Sequence, residues 1–196
     1  MVTSFVINPG PGSNPTAHEL AVFGNSHHAT ILFGAWLQAV SPFLIMIFAL
    51  GLLRLAGAAS SFCAQLTQVG FVVLIVVSLF EVVFYLSAVN GDPATVGLVS
   101  LSLIHAAQHL FSIAAAPAVF LPFAVFILRT RALPLIFGYT GLTLGVLFAT
   151  LGLVGLFRPI QYMVDDLAFA QGVWWLLAAS VQVWRTPAAA LQANHM

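Results

Sequence analysis

Two histidines stand four residues apart inside a long apolar run, in the stretch SLIHAAQHLFS from Ser102 to Ser112. At 100° per residue, His105 and His109 lie on one side of a helix, so a single helix could present both imidazoles to one ion or proton. Glu81 stands in another apolar run, where an unpaired carboxylate costs about 2.5–3.5 kcal/mol in a membrane. Glu81 must therefore be neutral, paired or hydrated, and we expect a histidine at the same depth as its partner.

The composition predicts a membrane protein. Of 196 residues, 61% are hydrophobic and 5% are charged, whereas soluble domains carry about 25% charged residues. The net charge of zero gives no indication of a nucleic-acid partner. Cys63 is the single cysteine, which excludes an internal disulfide. The first residues lack the basic segment of a signal peptide, so we expect none to be cleaved.

Five apolar runs each reach the roughly 20 residues that a membrane-spanning helix needs. The runs predict an all-α polytopic integral membrane protein, a bundle of five transmembrane helices forming one domain over residues 27–186. We expect residues 1–26, which include the turn-rich NPGPGSNPT, to be a polar, flexible extracytoplasmic lead, and residues 187–196 to be a short cytoplasmic tail. The predicted spans are Ala29–Leu53, Phe62–Val89, Ala94–Leu128, Leu133–Phe157 and Val164–Trp184.

The arginines predict how the chain threads. Four of the five fall at span ends on one side of a five-span chain, and Arg158 alone falls on the other side; the four are Arg54, Arg129, Arg131 and Arg185. The positive-inside rule then places the N-terminus outside and the C-terminus in the cytoplasm. Together with the absence of lysine and the abundance of alanine, this favours the cytoplasmic membrane of a bacterium.

The third and fourth runs carry packing signals. The third is too long for one straight crossing, and Pro117 and Pro122 predict a bend that neighbouring helices must support, so we expect this helix to be central. The fourth contains the GxxxG motif Gly141–Gly145. Close helix packing within the chain is one interpretation of it, and a homodimer or a larger membrane complex is the other.

In the predicted threading, each of four helices contributes one polar side chain at about the same depth. At 1.5 Å per residue, this depth is roughly 10–16 Å below the outer surface. His109 lies one turn deeper, and Tyr85 shares a helix face with Glu81. We therefore predict an outward-facing polar pocket in the membrane. Its predicted lining is Gln38, Glu81, Tyr85, His105, His109 and Gln171.

Three functions fit such a pocket. It could bind or move a small solute or a proton, or belong to a subunit of a membrane assembly; this non-enzymatic interpretation, without a cofactor, is the leading one. Alternatively Glu81, His105 and His109 could bind iron or zinc, in a metalloenzyme that acts on a lipid-soluble substrate. The third interpretation is that the polar groups only specify helix packing. The sequence contains no Walker A, GxSxG or CxxC motif.

The stretch from Gln108 to Phe157 also resembles a known family. His109, the basic turn with Arg129 and Arg131, the pair Leu133–Pro134 and the glycine series that follows are similar to a bacterial polytopic membrane family named only domain of unknown function 4386. Over about residues 30–160 the resemblance implies a membrane helical fold, with Glu81 where that family tends to carry a glutamate. It implies no activity. Residues 1–26 are polar where the family usually has another membrane helix.

Overall fold

The computed structural model describes residues 15–158 and 161–193 of the chain, and in these residues there is no β-strand. Five helices are long and apolar enough to cross a membrane, which confirms the predicted number of spans. They are α1 (Ala17–Leu55), α2 (Phe62–Asn90), α3 (Pro93–Thr130), α4 (Leu135–Gly155) and α5 (Gln161–Ala193).

α1 begins at Ala17, well before the predicted start of the first span near Ala29. The cause is a capping box at its N-terminus: the Glu19 backbone N–H donates to Thr16 Oγ1 at 3.3 Å, and the Thr16 backbone N–H donates to Glu19 Oε2 at 2.8 Å. Residues 17–26 are therefore helical and continuous with the first span, where a flexible lead was predicted. At the other end of the chain, α5 continues to Ala193, into the predicted tail.

α3 is the central helix, as predicted. In its most apolar window 61% of residues are buried in the protein, against 39% in α2 and α4 and 28% in α1 and α5. α3 is irregular at two places, where π-helical turns over Pro93–Gly97 and Phe111–Ala115 precede the α-helical segments Leu98–Leu110 and Ala116–Thr130. The second turn comes just before Pro117, where a wider turn relieves the clash of the proline ring with the preceding carbonyl.

An aromatic core joins all five helices. On α5, Trp174 and Trp175 lie edge to face with ring centroids 4.8 Å apart. Trp175 packs against Phe123 of α3 at 5.4 Å, and its more distant neighbours are Phe71 of α2 at 6.1 Å and Phe48 of α1 at 6.3 Å. On the α4 side, Trp174 packs against Phe137 at 5.8 Å. Contacts of this geometry contribute about 0.5–1.5 kcal/mol each beyond the area they bury.

Glycines allow the helices to approach closely inside the chain. A Cβ atom at Gly70 of α2 would overlap the backbone carbonyl of Ala118 in α3. On α4, a Cβ at Gly145 would meet Leu121 of α3, and one at Gly141 would meet Trp174. The GxxxG motif therefore packs against helices of the same chain.

We predict that Gly70→Ala lowers the unfolding free energy by about 1–3 kcal/mol, because the new methyl group meets rigid backbone that cannot move aside. Gly51→Ala is the matched control: Gly51 also lies within a helix, and a Cβ there meets open space. The control should gain up to about 1 kcal/mol from helix propensity. Unfolding of both variants in detergent provides the measurement, and a Gly70→Ala protein as stable as Gly51→Ala would contradict the packing of α2 on α3.

Candidate functional site

Among the charged residues whose burial the structure describes, Glu81 alone is buried, with 3% of its surface exposed. It lies on the face of α2 that packs against the bundle, together with Leu74, Val77 and Ser78. The helical period of 3.6 residues places these positions on one side, while Val76, Phe80 and Val83 on the opposite side are exposed. The position of Glu81 along α2 thus forces its carboxyl group into the protein interior rather than toward lipid.

Amides from two other helices hold this carboxyl group. Gln38 of α1, which is 4% exposed, donates from Nε2 to Glu81 Oε2 at 2.6 Å. Gln108 of α3 donates from Nε2 to Glu81 Oε1 at 3.4 Å. We call Gln38, Glu81 and Gln108 the amide–carboxyl triad. One carboxyl group thereby links α1, α2 and α3, and each of its oxygens has a donor.

The structure places the predicted pocket residues at different distances from Glu81. Gln38, predicted only as pocket lining, contacts Glu81 directly, whereas a histidine was the expected partner. Tyr85 is half-buried, one turn beyond Glu81, and Gln171 on α5 is 4% exposed. Gln108 was not among the predicted lining residues, yet it is the residue of α3 that donates to Glu81. Gln108 could have been recognised because it follows directly after the buried residue Ala107 and lies one turn after the buried residue Ile104.

The histidines lie on a different side of α3. Measured at 100° per residue from Ile104, Gln108 is about 40° away, His105 about 100° and His109 about 140°. His105 and His109 are accordingly half-buried, and Ser102 farther round is exposed. Ser102, His105, His109 and Ser112 fall on one face of the predicted helix, and that face was expected to look inward at protein or water. Ser112 is buried and Ser102 is exposed. The buried residues of this segment are Ser100, Ile104 and Ala107.

This orientation bears on the predicted metal ligands. In the described residues no three His, Cys, Asp or Glu side chains lie together as a metal ion would require, so Glu81, His105 and His109 do not form such a group. For Glu81 to join the histidines on one ion, its carboxyl group would have to leave Gln38, which holds it at 2.6 Å. The iron or zinc alternative stays a prediction that the arrangement of these side chains does not favour.

The second π-helical turn lies directly beside the triad. It begins at Phe111, three residues after Gln108, and the buried Ser112 donates from Oγ to the backbone carbonyl of Gln108 at 3.0 Å. Turns of this kind interrupt the regular hydrogen-bond ladder of a helix and frequently occur at functional sites. The residue that contacts Glu81 is thus coupled to the least regular part of the central helix.

The five apolar helices define a multi-pass membrane protein, with a buried carboxyl group where three of its helices meet. Comparison with known proteins gives no relative: no protein-family model, no curated protein and no solved structure matches the chain. The resemblance to the domain of unknown function 4386 family therefore stays a prediction.

Proposed function

We propose that this chain is a non-enzymatic protein of the bacterial cytoplasmic membrane that binds and releases a proton at Glu81, as part of moving a proton or a small solute. The observation that carries the proposal is the burial of Glu81, at 3% exposure, inside an apolar helix bundle. Ionisable groups in membrane spans are costly, and they commonly mark proton relays and ion pathways.

The chemistry of the triad supports a site that works in both protonation states. An ionised carboxylate only accepts hydrogen bonds, whereas a protonated carboxyl group also donates one. A glutamine amide carries a donor and an acceptor on the same group. By turning about its last side-chain bond, Gln38 or Gln108 can therefore present a donor to the ionised form of Glu81 or an acceptor to the protonated form.

The position of the triad supports a link between the proton and the helices. A change at the Glu81 carboxyl group acts on α1 through Gln38 and on α3 through Gln108. In α3 the neighbouring π-helical turn offers an element that can convert to a regular helix. Transport requires a site whose occupation alters helix packing, and this connection supplies one.

The predicted threading indicates the side from which the site would exchange protons. Glu81 lies nine residues before Asn90, the last residue of α2, which corresponds to about 13 Å. Four arginines at the opposite ends of the spans favour a cytoplasmic location for those ends. In our proposal the Asn90 end of α2 and the N-terminus therefore lie outside, and Glu81 lies in the outer half of the membrane.

Glutamate labelled with ¹³C at the side-chain carboxyl tests the proton site, because the sequence contains just two glutamates, Glu19 and Glu81. We expect the Glu81 resonance to move with pH in one step, and the side-chain amide resonances of Gln38 and Gln108 to move with the same midpoint. The reason is that one amide must turn its oxygen toward the protonated carboxyl oxygen, while the other amide, still donating to the second oxygen, senses the loss of charge. The measurement is an NMR titration of the whole chain in nanodiscs.

Two variants serve as controls for this titration. Glu81→Gln removes one resonance and so assigns it. Glu19→Gln changes an exposed carboxyl group at the start of α1 and should leave the curve of Glu81 unchanged. A Glu81 resonance that stays constant over the whole pH range in which the protein is folded would rule out proton exchange, and would leave helix packing as the role of the triad.

Single cysteines test the threading, in a Cys63→Ala background that removes the one native cysteine. Ala59 and Ala94 are both exposed and lie near opposite ends of α2. We expect Ala94→Cys to react with a membrane-impermeant maleimide on intact cells, and Ala59→Cys to react only after permeabilisation. The reverse pattern would show that the protein is inserted the other way round.

A further inference from the structure

A groove lies between α4 and α5, and none of the residues of the amide–carboxyl triad lines it. It has a volume of about 530 Å³, within the range of small-molecule sites. Its walls come from the first half of α4 and the middle of α5. The residues that define it here are Ile136, Thr140 and Thr143 on α4, and Val173, Trp174 and Leu177 on α5.

The polar groups of this groove are already engaged within the protein. Trp174 donates from Nε1 to Thr140 Oγ1 at 3.0 Å, and the Thr140 hydroxyl donates to the Ile136 carbonyl at 2.7 Å. The Thr143 hydroxyl donates to the Tyr139 carbonyl at 3.0 Å. A polar ligand would find few hydrogen-bond partners here. A hydrocarbon chain needs none, and all of these hydrogen bonds could remain intact when it binds.

Arginines collect at the end of the groove where α4 begins. Arg185 of α5 donates from Nη1 to the carbonyl of Ala132 at 3.2 Å, which places it beside the turn between α3 and α4. That turn carries Arg129 and Arg131, and all three arginines are exposed. The sequence has no aspartate or glutamate from residue 129 to 158 or from residue 167 to 196 that could neutralise them. Ile136 of the groove follows five residues after Arg131.

We propose that the groove and these arginines together bind one anionic phospholipid of the surrounding bilayer. An acyl chain lies in the groove, and the phosphate lies at Arg129, Arg131 and Arg185. Guanidinium groups bind phosphate oxygens through paired hydrogen bonds, and basic sites between membrane helices select anionic headgroups. The apolar walls alone would not distinguish one phospholipid from another, so selectivity comes from the arginines.

Native mass spectrometry of the full chain in detergent tests the site, with phosphatidylglycerol and phosphatidylcholine of identical acyl chains as probes. We expect one phosphatidylglycerol per chain, bound about tenfold or more tightly than phosphatidylcholine, since each arginine near the headgroup adds to anionic binding. The double variant Arg129→Gln/Arg185→Gln, which keeps only Arg131 of the three arginines, should lose most of this preference. Val173→Trp, which fills the groove, should weaken the binding of both.

Arg54→Gln is the matched control. Arg54 is an exposed arginine in the last turn of α1, on the side where the threading places the other three, and it lies outside the groove. It should keep the preference for phosphatidylglycerol. The proposal is overturned if the wild type binds both lipids equally, if Arg54→Gln loses as much as the double variant, or if Val173→Trp binds as the wild type does. Near-UV circular dichroism of each variant verifies that it is folded.

Discussion

The burial of one carboxyl group constrains the arrangement of α1, α2 and α3. Glu81 cannot remain without partners in an apolar environment, because an unmatched carboxyl group there costs several kcal/mol. Its donors come from α1 and α3, so these helices must stand at a fixed height and rotation relative to α2. Apolar packing alone permits a helix to rotate or slide by small amounts, whereas a hydrogen bond of 2.6 Å does not.

A second layer of the bundle complements this polar one. Phe71 lies ten residues before Glu81 on α2, about 15 Å away along the helix, and it packs in the aromatic core around Trp175. That core contacts all five helices, while the triad contacts three. The aromatic layer therefore holds the bundle together as a whole. It also reaches the π-helical turn of α3, because Phe111, the first residue of that turn, packs edge to face on Phe148 of α4 at 5.3 Å.

The fold was largely accessible from the sequence because hydrophobic length is a strong signal in membranes. The predicted run Phe62–Val89 differs from α2 by one residue, and the central place of α3 followed from its two prolines. The start of α1 was missed since the capping box of Thr16 and Glu19 lies in a segment whose composition resembles a loop. The start of α1 is set by the capping box at individual residues, and the average polarity of the segment does not predict it.

The site was accessible only in part. Depth along each helix placed Gln38 and Glu81 at one level, and the structure shows them in contact. The sequence does not show which face of α3 turns toward the bundle, because in a mostly apolar helix either the polar face or an apolar face can be the buried one. Serine and histidine suggested one face, but the packing of Ile104 and Ala107 selected another, and this brought Gln108 to Glu81 in place of a histidine.

A double-mutant cycle between Gln38 and Glu81 tests the central claim most directly. Unfolding free energies in mixed micelles are measured for Gln38→Leu, Glu81→Leu and the combination, with Gln68→Leu, at an exposed glutamine of α2, paired with Glu81→Leu as the control cycle. We predict a coupling of at least about 1 kcal/mol for Gln38 with Glu81, and none for the control pair. Additive effects in both cycles would show that these two side chains do not depend on each other, and the account would fail.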